Sequence, residues 1–101
     1  MARSQGELQT VLEAVPGVDG HAYFQKDTDL EYPCIRYERD DSAPFHADNL
    51  LYMFKKRYTV TVVDRDPGSL IPDQVEKLPL TRFNRFYRAD GLNHFVFILY
   101  F

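Results

Sequence analysis

The sequence predicts an α+β fold: one mainly antiparallel sheet of four to five strands with two short helices packed on it, in the order helix, strands, helix, hairpin. Three observations carry this. Two stretches repeat apolar residues at three- and four-residue steps, several others alternate with period two, and Asp90-Gly91 joins two of the alternating runs as a hairpin turn. The 101 residues, 45% hydrophobic and 15% aromatic, suffice for one domain spanning 1–101 and are too few for two.

The first helix is expected from about Ser4 to Val15, because Leu8, Val11, Leu12 and Val15 form one apolar stripe. Ser4 with Glu7 three residues on fits a capping box, and Pro16-Gly17 ends the helix. His21 to Phe24 reads as a brief strand, followed by the acidic run Asp27 to Glu31. From Cys34 to Arg39, Ile35 and Tyr37 alternate with Arg36 and Glu38, as in a strand with one wet face. The polar connection Asp40 to Asn49, carrying Pro44, leads into an extended run from Leu51 to Asp64. Within that run Tyr58, Val60 and Val62 alternate with Thr59 and Thr61. Asp66-Pro67-Gly68 breaks the run, and Ser69 to Leu78 forms a second helix with Ile71, Val75 and Leu78 on its stripe and Pro72 in its first turn. Thr81 to Arg88 and Leu92 to Phe101 are the arms of the closing hairpin.

Composition excludes several classes. So apolar and aromatic a chain is not a disordered tail. Twelve Lys and Arg against fifteen Asp and Glu leave a net charge of −3, against the basic balance of a DNA binder. The longest purely apolar stretch, Phe95 to Phe101, has seven residues, whereas a helical membrane span needs about 20. Cys34 is the single cysteine, and the first residues lack the apolar run of a signal peptide, so synthesis in a reducing cytoplasm is expected.

The closing strand is the most informative segment. Phe95, Phe97, Leu99 and Phe101 face one way and Val96, Ile98 and Tyr100 the other, so both faces are apolar. Two helices of about ten residues cover one side of such a sheet, and contiguous apolar surface on soluble proteins marks contact sites. Part of the second face, Val96, Ile98 and Tyr100, is therefore expected to meet another subunit. The competing arrangement places a helix on each face or curls the sheet over itself.

Reactive constellations are sparse. His21, His46 and His94 lack the spacing of a helical metal site, and a zinc site would want more cysteines or carboxylates. Cys34 at a strand start reads as a core thiol. Asp27, Asp29, Glu31 and Glu38 have a superficial calcium-loop rhythm, but Tyr32 stands where the loop needs its glycine. The five glycines form neither GxGxxG nor a P-loop. Lys55-Lys56-Arg57 reads as a solvated strand edge. Arg82, Arg85 and Arg88 interleave with Phe83, Phe86 and Tyr87, a composition shared by single-strand nucleic-acid platforms and subunit interfaces. The acidic total favours the interface. No catalytic residue, cofactor or metal is expected.

Several runs together resemble the small neck and tail-completion proteins of long-tailed bacteriophages. They are Tyr32-Pro33-Cys34-Ile35-Arg36-Tyr37-Glu38-Arg39, Ala47-Asp48-Asn49-Leu50-Leu51-Tyr52, Lys56-Arg57-Tyr58-Thr59-Val60-Thr61-Val62, Asp66-Pro67 and Asp90-Gly91-Leu92-Asn93-His94-Phe95. Among these families the sequence most resembles the tail terminators, over roughly Tyr32 to Phe101, in loose patterns of strand and turn. The resemblance implies a non-enzymatic virion protein, made in the host cytoplasm, whose copies form a ring, typically a hexamer, that caps the tail tube and joins it to the head. It implies tail tube protein and neck or connector proteins as partners, with DNA passing through the lumen without specific binding. An acidic or neutral lumen suits such passage, because phosphate-binding lysines would retard it.

On that reading the candidate interface residues are Phe45, His46, Asp48, Asn49 and Tyr52 in and after the polar connection, Arg85 and Phe86, and Val96, Ile98 and Tyr100. Asp27, Asp29 and Glu31 are candidate lumen residues. Three alternatives stand beside it: a head-side connector or stopper ring, a small hydrolase or nuclease built on Cys34, the histidines or the Asp27 to Glu31 cluster, and a single-stranded nucleic-acid module using Arg82 to Arg88.

Overall fold

The computed structural model describes residues 4–25, 30–39 and 56–101. Their order is α1 (Gln5–Glu13), β1 (Ala22–Phe24), β2 (Cys34–Arg39), β3 (Arg57–Asp64), α2 (Ile71–Glu76), β4 (Thr81–Ala89) and β5 (Leu92–Tyr100). The expected connection Asp40 to Asn49 and the start of the extended run at Leu51 lie outside the described residues.

Local chemistry sets the elements. The Ser4 hydroxyl accepts the Glu7 N–H at 3.3 Å and caps α1, whose Leu8 and Leu12 are buried. Beyond the helix, Gly17 has φ +91°, and a Cβ there would lie 3.1 Å from Ile71 Cγ1, so only glycine lets this loop rest on α2 without strain. Pro72 sits in the first turn of α2, where its missing N–H costs nothing. Asp90 and Gly91, with φ of 54° and 75°, form the two-residue hairpin loop, both left-handed as a type I′ turn requires.

The five strands are ordered β1-β2-β3-β5-β4. The sheet is mixed rather than mainly antiparallel: β1 runs parallel to β2, while β2–β3, β3–β5 and β5–β4 are antiparallel. A three-residue strand has no periodicity from which its direction can be read. Long-range bonds orient it instead: Ile35 N–H donates to the His21 carbonyl at 2.9 Å, and Gln9 Nε2 on α1 donates to the Ala22 carbonyl at 2.8 Å.

Both helices pack on one face, where Leu8, Leu12, Ile71 and Val75 meet Ile35, Tyr37, Val60, Val62, Phe97 and Leu99 in one buried cluster. A polar pin joins α1 to this face. The Tyr37 hydroxyl receives the Gln5 amide and donates to Gln9 Oε1, so the one hydroxyl in that contact is satisfied both as acceptor and as donor. Burial pushes the Tyr37 phenol above its ordinary pKa, and the Gln5 bond offsets part of that rise.

The opposite face of β5 departs from expectation. Val96 and Ile98 are each only 4% exposed within a single chain, and Tyr100 is half-buried, so this strand does not need a second copy to leave water. β5 is an inner strand, flanked by β3 and β4. Register places Arg82 opposite Ile98, Arg85 opposite Val96 and Thr61 on the other side of Val96. Long side chains on flanking strands cover a β-branched neighbour with their aliphatic stems.

Candidate functional site

The surface left exposed belongs to β4. It forms one edge of the sheet, and every residue from Arg82 to Ala89 is exposed, which holds for no other strand among the described residues. Phe83 and Phe86 are each 47% exposed and Tyr87 39%. The ladder to β5 shifts register between Phe83 and Arg85, leaving Asn84 as a bulge. The pairs Phe83–Phe97 and Phe86–Phe95 put both phenylalanines on the helix-bearing face. The pairs Arg82–Ile98, Arg85–Val96 and Tyr87–His94 put two arginines and the tyrosine on the other.

Each aromatic ring of the edge rests on β5 with its inner side. Phe83 stands edge-on to Phe97 with centroids 5.5 Å apart, Phe86 lies 4.9 Å from Phe95, and Tyr87 stacks on His94 at 4.5 Å and 8°. Arg85 comes within 5.4 Å of the Tyr87 centroid. The edge thus carries two phenyl rings on the helix-bearing face and Arg82, Arg85 and Tyr87 on the other, each ring braced by β5, with no carboxylate from Thr81 to Ala89. Preset aromatics and arginine are what protein–protein contacts enrich. A concavity of about 220 Å³ on the helix-free face is lined by Arg36, Glu38, Thr59, Thr61, Arg85 and Tyr87.

Of the residues singled out from the sequence, Arg85 and Phe86 stand on this surface. Val96 and Ile98 lie beneath the same region as buried neighbours of β4. Phe83 and Tyr87 belong to the surface as well, and the alternation of arginine with aromatics in Thr81 to Arg88 is the signal that marks them. Phe45, His46, Asp48, Asn49 and Tyr52 lie outside the described residues, as do Asp27 and Asp29. Glu31 is exposed at the opposite end of the sheet, 3.3 Å from His21 Nε2, and its N–H donates to the Tyr23 hydroxyl at 3.3 Å.

Among the described residues, the groups considered for catalysis do not converge here. Cys34 is fully buried, and burial pushes its thiol from 9.0 up to about 11, against the smaller opposing pull of the Arg36 charge. His94 is buried under Tyr87, with no hydrogen-bond partner for Nδ1. No group of three His, Cys, Asp or Glu among the described residues could hold a metal ion, and no helix among them is long and apolar enough to cross a membrane.

The thiol gives a measurable pH dependence. The folded protein keeps the Cys34 proton to higher pH than the unfolded chain, so its contribution to stability is complete below about pH 9 and disappears as pH rises through about 11. Urea unfolding of wild type and Cys34→Ala from pH 7 to 11 should show the wild type losing more stability along this limb than the variant. Equal slopes would contradict the shift.

No known protein family's model matches this sequence, and no curated protein or solved structure matches it.

Proposed function

We propose that this chain is a structural virion protein that assembles into a ring, typically hexameric, at the head-proximal end of a bacteriophage tail, capping the tail tube and joining it to the neck. The observation that carries the proposal is the β4 edge, a full strand of exposed Phe83, Phe86 and Tyr87 set among three arginines. Large apolar rings exposed together on one strand mark a contact surface. The resemblance of the Tyr32 to Phe101 segment to tail terminators says which kind of assembly. In such a ring DNA passes through the lumen without specific binding, tail tube and neck proteins lie on either side, and the subunit performs no chemistry.

The single-stranded nucleic-acid reading uses the same arginines but fits the surface less well. A stacking platform offers free ring faces, whereas Tyr87 already has His94 on one face and Arg85 close by.

Native mass measurement with and without tail tube protein is the direct test. A closed oligomer of defined copy number is expected, and a monomer under every condition overturns the reading. Removing the protein from an infecting phage should leave tails of uncontrolled length. Leaking heads beside normal tails would instead assign it to the head-side connector ring, and salt-sensitive binding of oligonucleotides by a monomer would assign it to nucleic acid.

A further inference from the structure

We infer that copies of this chain join head to tail, the arginine- and aromatic-rich β4 edge of one meeting the acidic β1 end of the sheet on the next. The inference rests on the ring reading and specifies which two surfaces form the repeating contact.

Its basis is an uneven distribution of charge along the strand order. At one end, α1 lies over β1, fastened by the Gln9 bond to the Ala22 carbonyl. Among the described residues this end exposes Glu7, Glu13, Asp19 and Glu31, with no Lys or Arg in 4–25; Arg3 and Lys26, which flank that stretch, lie outside the described residues. At the other end β4 exposes Arg82, Arg85 and Arg88 with no acid in the strand. Among the described residues, four negative charges at the β1 end and three positive charges on β4, followed by Asp90 in its turn, therefore sit at opposite edges of one five-stranded sheet. The nearby helix α2 brings Asp73 and, just past its end, Lys77 together with Glu76, a net of one negative charge on the helix side, while Arg82 and Arg85 face away from the helices.

The alternatives on the same edge are weaker. Pairing β4 with β4 of a second copy about a two-fold axis would set arginines against arginines, and like charges across strands destabilise. Plain extension of the sheet through the backbone is hindered by the bulge at Asn84 and by the arginines, both devices that blunt an edge. A side-chain contact between unlike surfaces remains. Because its two halves differ, each copy offers both, and repetition through a closing rotation generates a ring, whereas a two-fold contact stops at a dimer. The opposite charges also steer the encounter and disfavour wrong pairings.

Two charge-reversed forms of the full chain test this, E7K/E13K/D19K and R82E/R85E/R88E, studied by native mass and sedimentation at low ionic strength, alone and with tail tube protein present. Each variant alone should associate roughly tenfold or more weakly than wild type, and an equimolar mixture should recover oligomers with even copy numbers. All six positions are exposed, so melting curves close to wild type are expected and distinguish lost contact from lost fold. A β1-end variant that assembles like wild type overturns the pairing while leaving the ring intact. Mixtures that stop at dimers overturn it in favour of β4 meeting β4. A wild-type chain that never assembles overturns the ring reading and this inference together.

Discussion

Replacing Phe97 with alanine is expected to remove about 3–5 kcal/mol of folding stability, as large-to-small changes at buried aromatic positions do. A domain of this size holds about 5–15 kcal/mol in total. Phe97 is the junction of the molecule. It sits on β5 between Val60 of β3 and Phe83 of β4, is 1% exposed, and belongs to the cluster that receives both helices. Removing the ring takes the floor from under Phe83 as well, so the β4 surface loosens along with the core. The urea midpoint should fall with little change in slope, which reports lost stability rather than a changed unfolded state. A loss below about 1 kcal/mol would mean that the cluster repacks freely, contrary to the close fit expected of a protein interior.

The second large effect concerns the other side of the same strand. Ile98→Ala is expected to cost about 2–5 kcal/mol, because Ile98 is buried within one chain. The cost should be the same at any protein concentration. Had the face been completed only by another copy, the difference from wild type would fade on dilution, since association stabilises by mass action. Denaturation series at widely separated concentrations distinguish the two. Phe86→Ser, by contrast, alters a half-exposed ring and should lower stability by only about 1 kcal/mol while weakening assembly.

The contrast between Ile98 and Phe86 shows what was legible in the sequence. Period-two alternation places β2 at Cys34–Arg39, the residues where the strand is found, and Asp90-Gly91 marks the hairpin because few residue pairs tolerate two left-handed positions. The apolar stripe of α1 is equally plain. Strand order is not local information, however. Apolar residues on both faces of β5 are explained by its inner position between β3 and β4, and that position depends on pairings across the chain, from Arg57 with Tyr100 to Thr81 with Leu99. An inner strand has neighbouring side chains on both flanks, and an edge strand on one. The parallel direction of β1 is hidden for a similar reason, since bonds to Gln9 and Ile35 determine it. At the candidate site the composition of Thr81 to Arg88 was readable, and the exposure that gives it significance was not.

The bulge in β4 acts on phase rather than on composition. Counted outward from Phe83 with strict alternation, Arg85 and Tyr87 would turn toward the helices and Phe86 away from them. Asn84 drops out of the ladder, and the count resumes with Arg85 beside Val96 and Phe86 beside Phe95. One residue outside the ladder thereby parts Arg82 and Arg85 from the two phenyl rings, as a single inserted beat decides which foot falls on every step that follows.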